Sequence, residues 1–479
     1  MRIILSMLLL MTYLNTCEPV ALEEESNTTL IQLNENFQRI RKDPVALREF
    51  LWKMPKGGDI HHHLLGSVLA EDYLEAAIKD DLWINPSHYQ LYFDQTDALS
   101  KEDDEAISIN TLLKVNPRLK EEIIDHWSVR NYKEKGRNGR DWFFATFQKF
   151  EPALIGNEVQ FLTKLCAKAA KENVQYIETI VSVPSIMQKV AGLTSQKQWN
   201  PGISLRDHLE EWYEFLKAQN IDQWVEYNAE VMDHWMSQTE KYGTVLRFQN
   251  VALRVHPDQR VVFSHLLLAF KTASISRHVV GVNFVAPEDD PIALQHFQEH
   301  MAMFHFLHER FPEVSISIHA GELVPKSTLD QENLSAHIDQ AINLAGASRV
   351  GHGVDILHEE RNEELLEQMS RNEIAVEINL ESNQVILGTT STTHPLSTYL
   401  DAGVPICLSS DDAAILRSDL THQYVMAAEY LPNLTYTMLK DIVFNSIRYS
   451  FLNLNEKEAV LHRLENAFGK FEAKLVKEL

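Results

Sequence analysis

Cysteine is scarce, with only Cys17, Cys166 and Cys407 in 479 residues. Three thiols so widely spaced exclude a disulfide framework, and stability has to come from a buried core, which a chain of this length can build. No tract is Pro/Gly-rich or of low complexity, and no internal repeat divides the chain. Beyond the N-terminus no segment approaches the ~18 uninterrupted apolar residues of a membrane-spanning helix. Basic residues are also short: 44 Lys and Arg stand against 68 Asp and Glu, for a formal net charge of −24. That balance repels phosphate backbones and anionic lipid heads, so nucleic-acid polymers and membrane surfaces are poor candidates for partners. A neutral or weakly charged small molecule fits better. The oligomeric state stays open, a homodimer included.

What is present begins with an apolar run, Ile3–Leu14, behind Arg2, after which the chain turns acidic at Glu23. The run is too short to span a bilayer and has the layout of a secretory signal peptide, assigned to residues 1–17 and followed by a polar lead-in over 18–52. The sequence therefore predicts export, to a secreted, periplasmic or surface-anchored state. Leu14-Asn15-Thr16-Cys17 loosely resembles a bacterial lipoprotein cleavage box, with Thr16 against it. Asn27, Asn333 and Asn433 head N-x-S/T triplets.

From residue 53 onward, short β-rich runs alternate with amphipathic stretches such as His296–Arg310 and Glu359–Arg371. The expected strands are Gly58–His63, Val174–Val181, Asn250–Val255, Val279–Val285, Val314–His319, Ser348–Gly353, Ile374–Leu380 and Pro405–Ser410, with Trp224–Met232 competing for third place. Eight strand–helix alternations predict an α/β fold, a (β/α)₈ TIM-type barrel. Residues 71–140 are too long for a simple connection and read as an insertion after the first strand that partly roofs the barrel mouth. It carries helical pieces at Glu71–Lys79 and Ile107–His126 and a solvated charge run, Lys101–Glu105.

Catalytic side chains of such barrels sit at the C-terminal ends of the strands. The first strand ends Asp59-Ile60-His61-His62-His63. Strand alternation puts His61 and His63 on one face and His62 on the other, which makes half a zinc site, although 21 histidines would produce about one H-x-H by chance. The fifth ends His319-Ala320-Gly321-Glu322, where His319 offers a further nitrogen ligand and Gly321 allows the turn that brings the Glu322 carboxyl over the mouth. The sixth ends Gly351-His352-Gly353, whose glycines let the backbone approach a ligand. The eighth ends Ser409-Ser410-Asp411-Asp412; paired buried aspartates suggest a cation or a bound donor, while the same pair also suits a helix N-cap before Ile415. Each element has a bland reading, but four accidents would all have to fall at strand ends.

In order and spacing, H-x-H-L-x-G-S, H-A-G-E, G-H-G and S-S-D-D resemble the adenosine deaminase superfamily over roughly residues 50–450. The Met54-Pro55-Lys56-Gly57 lead-in, Ser382-Asn383-Gln384-Val385 and the export signal look most like its secreted, growth-factor-related branch. The resemblance implies one zinc ion per chain on His61, His63, His319 and Asp411. It also implies Glu322 as proton donor, His352 as the histidine that positions the attacking water with Asp411, and Asp412 as a purine-binding carboxyl. The turn residue Ala286 is assigned to substrate contact as well. The implied activity is hydrolytic deamination of a purine nucleoside, adenosine or deoxyadenosine. Three positions depart from the family pattern: Leu65 replaces an acidic residue that contacts the sugar, Val285-Ala286-Pro287-Glu288 replaces a turn often ending in Gly, and Ala413 replaces Pro. The zinc deaminases built on P-C-x-x-C are excluded, since no two cysteines are close. Two other readings compete. A binuclear amidohydrolase with another substrate would need a lysine that Val279–Glu288 lacks, leaving a mononuclear one, and a growth-regulating or binding protein on a degenerate barrel would have lost a metal or acid residue.

Overall fold

The computed structural model describes residues 18–197, 202–239, 243–325 and 334–478. The signal-like stretch 1–17, with Cys17, and the Asn333 triplet's asparagine lie outside the described residues.

Eight parallel strands follow one another in chain order: β1 (Gly57–His63), β2 (Val174–Val181), β3 (Val245–Leu253), β4 (Val279–Val285), β5 (Ser315–Ala320), β6 (Arg349–His352), β7 (Ala375–Ile378) and β8 (Ile406–Leu408). Just beyond β8 the chain returns to β1. Asp411 N donates to His61 O at 2.9 Å, His63 N donates to Asp411 O at 3.1 Å, and His62 bridges Asp411 in parallel. The sheet thus curls into the expected TIM-type α/β barrel. Helices cover it outside, each for local reasons. Asn362–Arg371, for instance, has Glu363 and Glu364 in its first turn and Arg371 in its last, and buries Leu365, Leu366 and Met369.

The third strand begins five residues before the expected Asn250. Its Arg247 and Gln249 are buried at 7% and 0% exposure, so polar residues inside the barrel disguised the strand. Trp224–Met232 instead lies in the helix Asp222–Thr239, which buries Val225, Ala229, Met232 and Met236 at helical spacing.

Between β1 and β2, the helix Ala70–Lys79 forms as expected. The piece Ile107–His126 does not form one helix. Pro117, which lacks an N–H, separates Ile109–Val115 from Leu119–His126. Ile107–Ser108 pairs instead with Trp83–Ile84, which also pairs with Leu91–Tyr92, in a small antiparallel sheet. This stretch is bound to the barrel's mouth loops. Val129 N donates to Ile415 O at 2.9 Å beyond β8, and Arg140 Nε donates to both Asp289 oxygens at 2.8 and 3.0 Å beyond β4. A Cβ on Gly139 would lie 2.2 Å from Val385 O, beyond β7. A cleft of about 770 Å³ runs between Tyr132–Asp141 and Gln384–Thr390.

Candidate functional site

Three of the strands end on a non-glycine residue in the left-handed region: Ala286 (φ 86°) after β4, His352 (φ 68°) on β6 and Asp411 (φ 57°) after β8. Such a conformation costs an L-residue roughly 1–2 kcal/mol, and it is kept where surrounding contacts over-determine it. At each of these ends the chain turns sharply, and His352 and Asp411 aim at the barrel axis.

His61, His63, His319 and Asp411 converge there. His319 Nε2 lies 3.0 Å from His61 Nε2 and 3.1 Å from His63 Nε2, and Asp411 Oδ1 lies 3.5 and 3.3 Å from the same two histidines. His62 turns the other way, to Thr179 Oγ1 at 3.0 Å. Zinc–ligand bonds of about 2.0–2.1 Å in a tetrahedron would set the ligand atoms about 3.3–3.4 Å apart, and the observed separations bracket that edge.

Hydrogen bonds behind the rings decide what each nitrogen offers. His61 Nδ1 faces a Glu377 oxygen at 2.6 Å, and a carboxylate only accepts, so Nδ1 carries a proton. His319 Nδ1 lies 2.8 Å from Asn283 Oδ1, an atom fixed as oxygen because it also accepts the Phe284 backbone N–H at 2.8 Å. With both rings neutral, the Nε2 atoms of His61 and His319 would face each other with lone pairs, an arrangement that needs a cation between them. Without a metal a proton fills that role: burial lowers His61, but hydrogen bonds to Asp411 and Glu377 outweigh it and push it up to about 10. The set of His61, His63, His319 and Asp411 fits one metal ion held by three imidazole nitrogens and one carboxylate oxygen.

Around this cluster stand three more groups. Glu322 is 7% exposed, and burial, reinforced by the charges of Asp411 and Glu288, raises its pKa well above the usual carboxylate range. Its backbone N–H and that of Gly321 donate to Glu288 at 2.8 and 3.2 Å, which holds the turn. Gly321 itself (φ 73°) has no room for a side chain, since a Cβ would lie 2.4 Å from Asp355. Asp412 is also raised by burial and by Asp411, whereas Asp411 is lowered, its histidine neighbours outweighing burial. Asp412 Oδ1 and His352 Nε2 are buried without a hydrogen-bond partner among the described residues. The aspartate pair caps no helix; the next one, Leu420–Tyr430, is capped by Asp419.

Some expectations resolve differently. The glycines flanking His352 make room for protein groups. A Cβ on Gly351 would lie 2.7 Å from His61 Cε1, and one on Gly353 would lie 2.5 Å from Tyr399 Oη. Leu65 is half-buried and packs against the core. Ala286 is half-buried at the turn. Sequence reasoning missed a buried ring of polar side chains under the site. From His61 it runs through Glu377, Arg349, Glu178 and Gln249 to Asn283 and His319. The available signal was a lone polar residue inside an apolar strand, as in Ala375-Val376-Glu377-Ile378 and Val282-Asn283-Phe284.

Comparison with known proteins gives a consistent result. The family profile described as Adenosine deaminase matches residues 216–467. An adenosine deaminase of Aliivibrio fischeri (strain ATCC 700601 / ES114) is 35% identical over 157 residues, 33% of this chain and 43% of that protein. One from Vibrio cholerae serotype O1 (strain M66-2) is 30% identical over 158 residues, again 33% and 43%. The chain thus spans 43% of the length of these curated relatives. In fold it is similar to the Arabidopsis N6-mAMP deaminase (TM-score 0.52, 16% identity, 87% of this chain and 99% of that one). It is also similar to an adenine deaminase from Arthrobacter aurescens (TM-score 0.50, 15% identity, 86% and 98%).

Proposed function

The chain belongs to the adenosine deaminase family, and from that premise we propose that it is a zinc-dependent aminohydrolase converting adenosine or deoxyadenosine to inosine or deoxyinosine and ammonia. The observation that carries the reading is a buried carboxyl, Glu322, whose pKa is raised well above the carboxylate range, beside four converged metal donors. When bound, zinc lowers the pKa of a coordinated water toward 7, making a nucleophile available at neutral pH.

The protein's own groups do the rest. Glu322 gives its proton to a purine ring nitrogen, which makes the amino-bearing carbon electrophilic. His352 and Asp411 orient the attacking water. The water oxygen bonds to that carbon, which becomes tetrahedral; the C–N bond then breaks as one water proton goes to the amino group, which leaves as ammonia, and the other returns to Glu322. Asp412, with Oδ1 unpartnered, hydrogen-bonds the purine edge. The net charge of −24 favours a nucleoside over a nucleotide. Leu65 offers the sugar no hydrogen bond, so sugar recognition rests elsewhere. Membership of the secreted, growth-factor-related branch and export are part of the same proposal, supported by Arg2, Ile3–Leu14 and Met54–Gly57. N-terminal sequencing of protein recovered outside the cytoplasm tests them.

The test of function is ammonia release from a panel of aminopurines, nucleosides and nucleotides, before and after chelation. Adenosine or deoxyadenosine should be turned over, chelation should abolish turnover, and one zinc per chain should restore it. Active protein holding two tightly bound metals, or none, would overturn the zinc assignment.

A second expectation concerns Gly66. A Cβ there would lie 1.6 Å from Asp412 Oδ1 and 2.3 Å from its Cγ, so Gly66→Ala has to displace the carboxyl. Leaving a buried polar group unsatisfied costs about 1–3 kcal/mol, or roughly 5- to 150-fold in affinity. KM for the nucleoside should rise on that scale with metal content unchanged; an unaltered KM would remove Asp412 from the substrate.

A further inference from the structure

Five candidate donors, not four, crowd the barrel mouth. Ligating atoms of His352, His61, His319 and Asp411 all lie within 4.8 Å of one another, and the His352 ring centroid is 4.9 Å from that of His61 and 5.1 Å from that of His319. An imidazole with a bare lone pair in that place is a metal ligand, and it would fill a coordination position that the attacking water needs. Which nitrogen of His352 carries the proton is therefore decisive.

The bonds behind the ring answer this, starting from an atom with no choice. The Leu396 backbone N–H can only donate, and it lies 3.1 Å from His394 Nδ1. That nitrogen accepts, so the proton of the neutral ring sits on Nε2. His394 Nε2 lies 3.1 Å from Asn383 Oδ1 and donates to it. This orients the amide, so that Asn383 Nδ2 donates to His352 Nδ1 at 2.9 Å. His352 Nδ1 is thereby an acceptor, and its proton is on Nε2, the atom that faces the site without a partner among the described residues. All three side chains are buried, with exposures of 5% for His394, 0% for Asn383 and 1% for His352. Burial also pushes His394 down to about 4, which keeps the relay neutral. The Asn383 backbone is fixed as well, its N–H donating to Asn379 O at 2.9 Å.

We propose that Asn383 and His394 are positioning residues that lock His352 in its Nε2–H tautomer, so that it donates a hydrogen bond to the attacking water and is barred from ligating the metal. The proposal rests on the metal-dependent deaminase reading and names the device that separates the ligand histidines from the one that must not ligate.

The first measurement is ¹⁵N NMR of the full chain labelled at histidine, with His352 assigned by loss of its signals in His352→Asn. Protonated Nε2 and acceptor Nδ1 are expected with and without zinc; the opposite tautomer would overturn the relay. The second uses Asn383→Asp, which puts an acceptor where the amide donated. His352 should flip, zinc-edge X-ray absorption should count four histidine ligands instead of three, and turnover should fall roughly 10- to 100-fold, the usual scale for groups behind metal ligands. His394→Gln, which can still donate to Asn383, should keep three histidines and most of the activity. Three histidines and full turnover in Asn383→Asp would refute the proposal, and if that variant fails to fold, the wild-type tautomer alone decides. Absence of aminopurine turnover in the wild type would overturn the enzymatic reading while leaving the tautomer and ligand counts to be read independently.

Discussion

Glu322→Gln should lower kcat by roughly 10²-fold or more, the usual loss when a positioned acid is removed, while zinc content and fold stay unchanged. Glutamine preserves the shape of the side chain but has no proton to give. The turn that holds the residue depends on backbone N–H groups donating to Glu288, so the substitution leaves it intact. Burial raises the Glu322 pKa well above the carboxylate range, which favours the protonated acid. The sign of the pH dependence follows. The wild type should lose kcat as pH rises through that raised pKa and the acid ionises, and the variant should lack this alkaline limb. Metal analysis and a kcat–pH profile together check the assignment. Loss of zinc in the variant would make Glu322 a ligand, and a retained alkaline limb would assign the proton to another group.

The second large effect belongs to stability. Arg349 is 1% exposed and bridges Glu178 and Glu377, both fully buried; its Nε donates to Glu377 at 2.6 Å and its Nη1 to Tyr449 O at 2.9 Å. Against burial, which pushes it up, Glu377 is held down at about 2, first by the Arg349 charge and then by the His61 hydrogen bond. Arg349→Met removes the guanidinium shared by the two carboxylates in the barrel interior, leaving Glu178 on hydrogen bonds from Tyr176 and Gln249 and Glu377 on those from His61 and Ser317. Breaking a buried pair in this way costs about 3–5 kcal/mol. Urea denaturation of the metal-free protein should register a loss on that scale, and the double variant Arg349→Met/Glu178→Gln should recover part of it by removing one of the two carboxylate charges. A single variant as stable as the wild type would mean that the ring is not a support. Because Glu377 also fixes the His61 proton, zinc affinity should fall in parallel.

Much of this architecture was legible in the residues, for identifiable reasons. Parallel strands buried on both faces give apolar runs, so seven of the eight were placed within a few residues. The third was misplaced because Arg247 and Gln249 point into a polar interior, which breaks the apolar signature that strand-finding relies on. The candidate donors were readable because His61, His63, His319 and Asp411 fall at strand ends, where topology alone brings them together. Glu377, Asn283 and His394 carry no sequence signal of their role, and Asn383 stands in the Ser382–Val385 motif without one, since their effect is on neighbouring imidazoles and depends on atom-to-atom distances that spacing does not encode. The break at Pro117 was visible in the sequence and was passed over in favour of the longer helical periodicity.

The closure of β8 onto β1 ties the site to the history of the chain. His61 and His63 are among the first barrel residues to be made, and Asp411 follows the last strand, yet the three meet through reciprocal backbone hydrogen bonds between residues 61–63 and 411. A nascent chain that stops short of Asp411 has nitrogen donors but neither the carboxylate nor the strand that holds the histidines in register. The full donor set therefore exists only once the two ends of the barrel sequence are joined, and metal binding would be coupled to that seam. A metal ion held there would act as a clasp at the longest-range joint of the barrel, and metal removal should open the barrel there first.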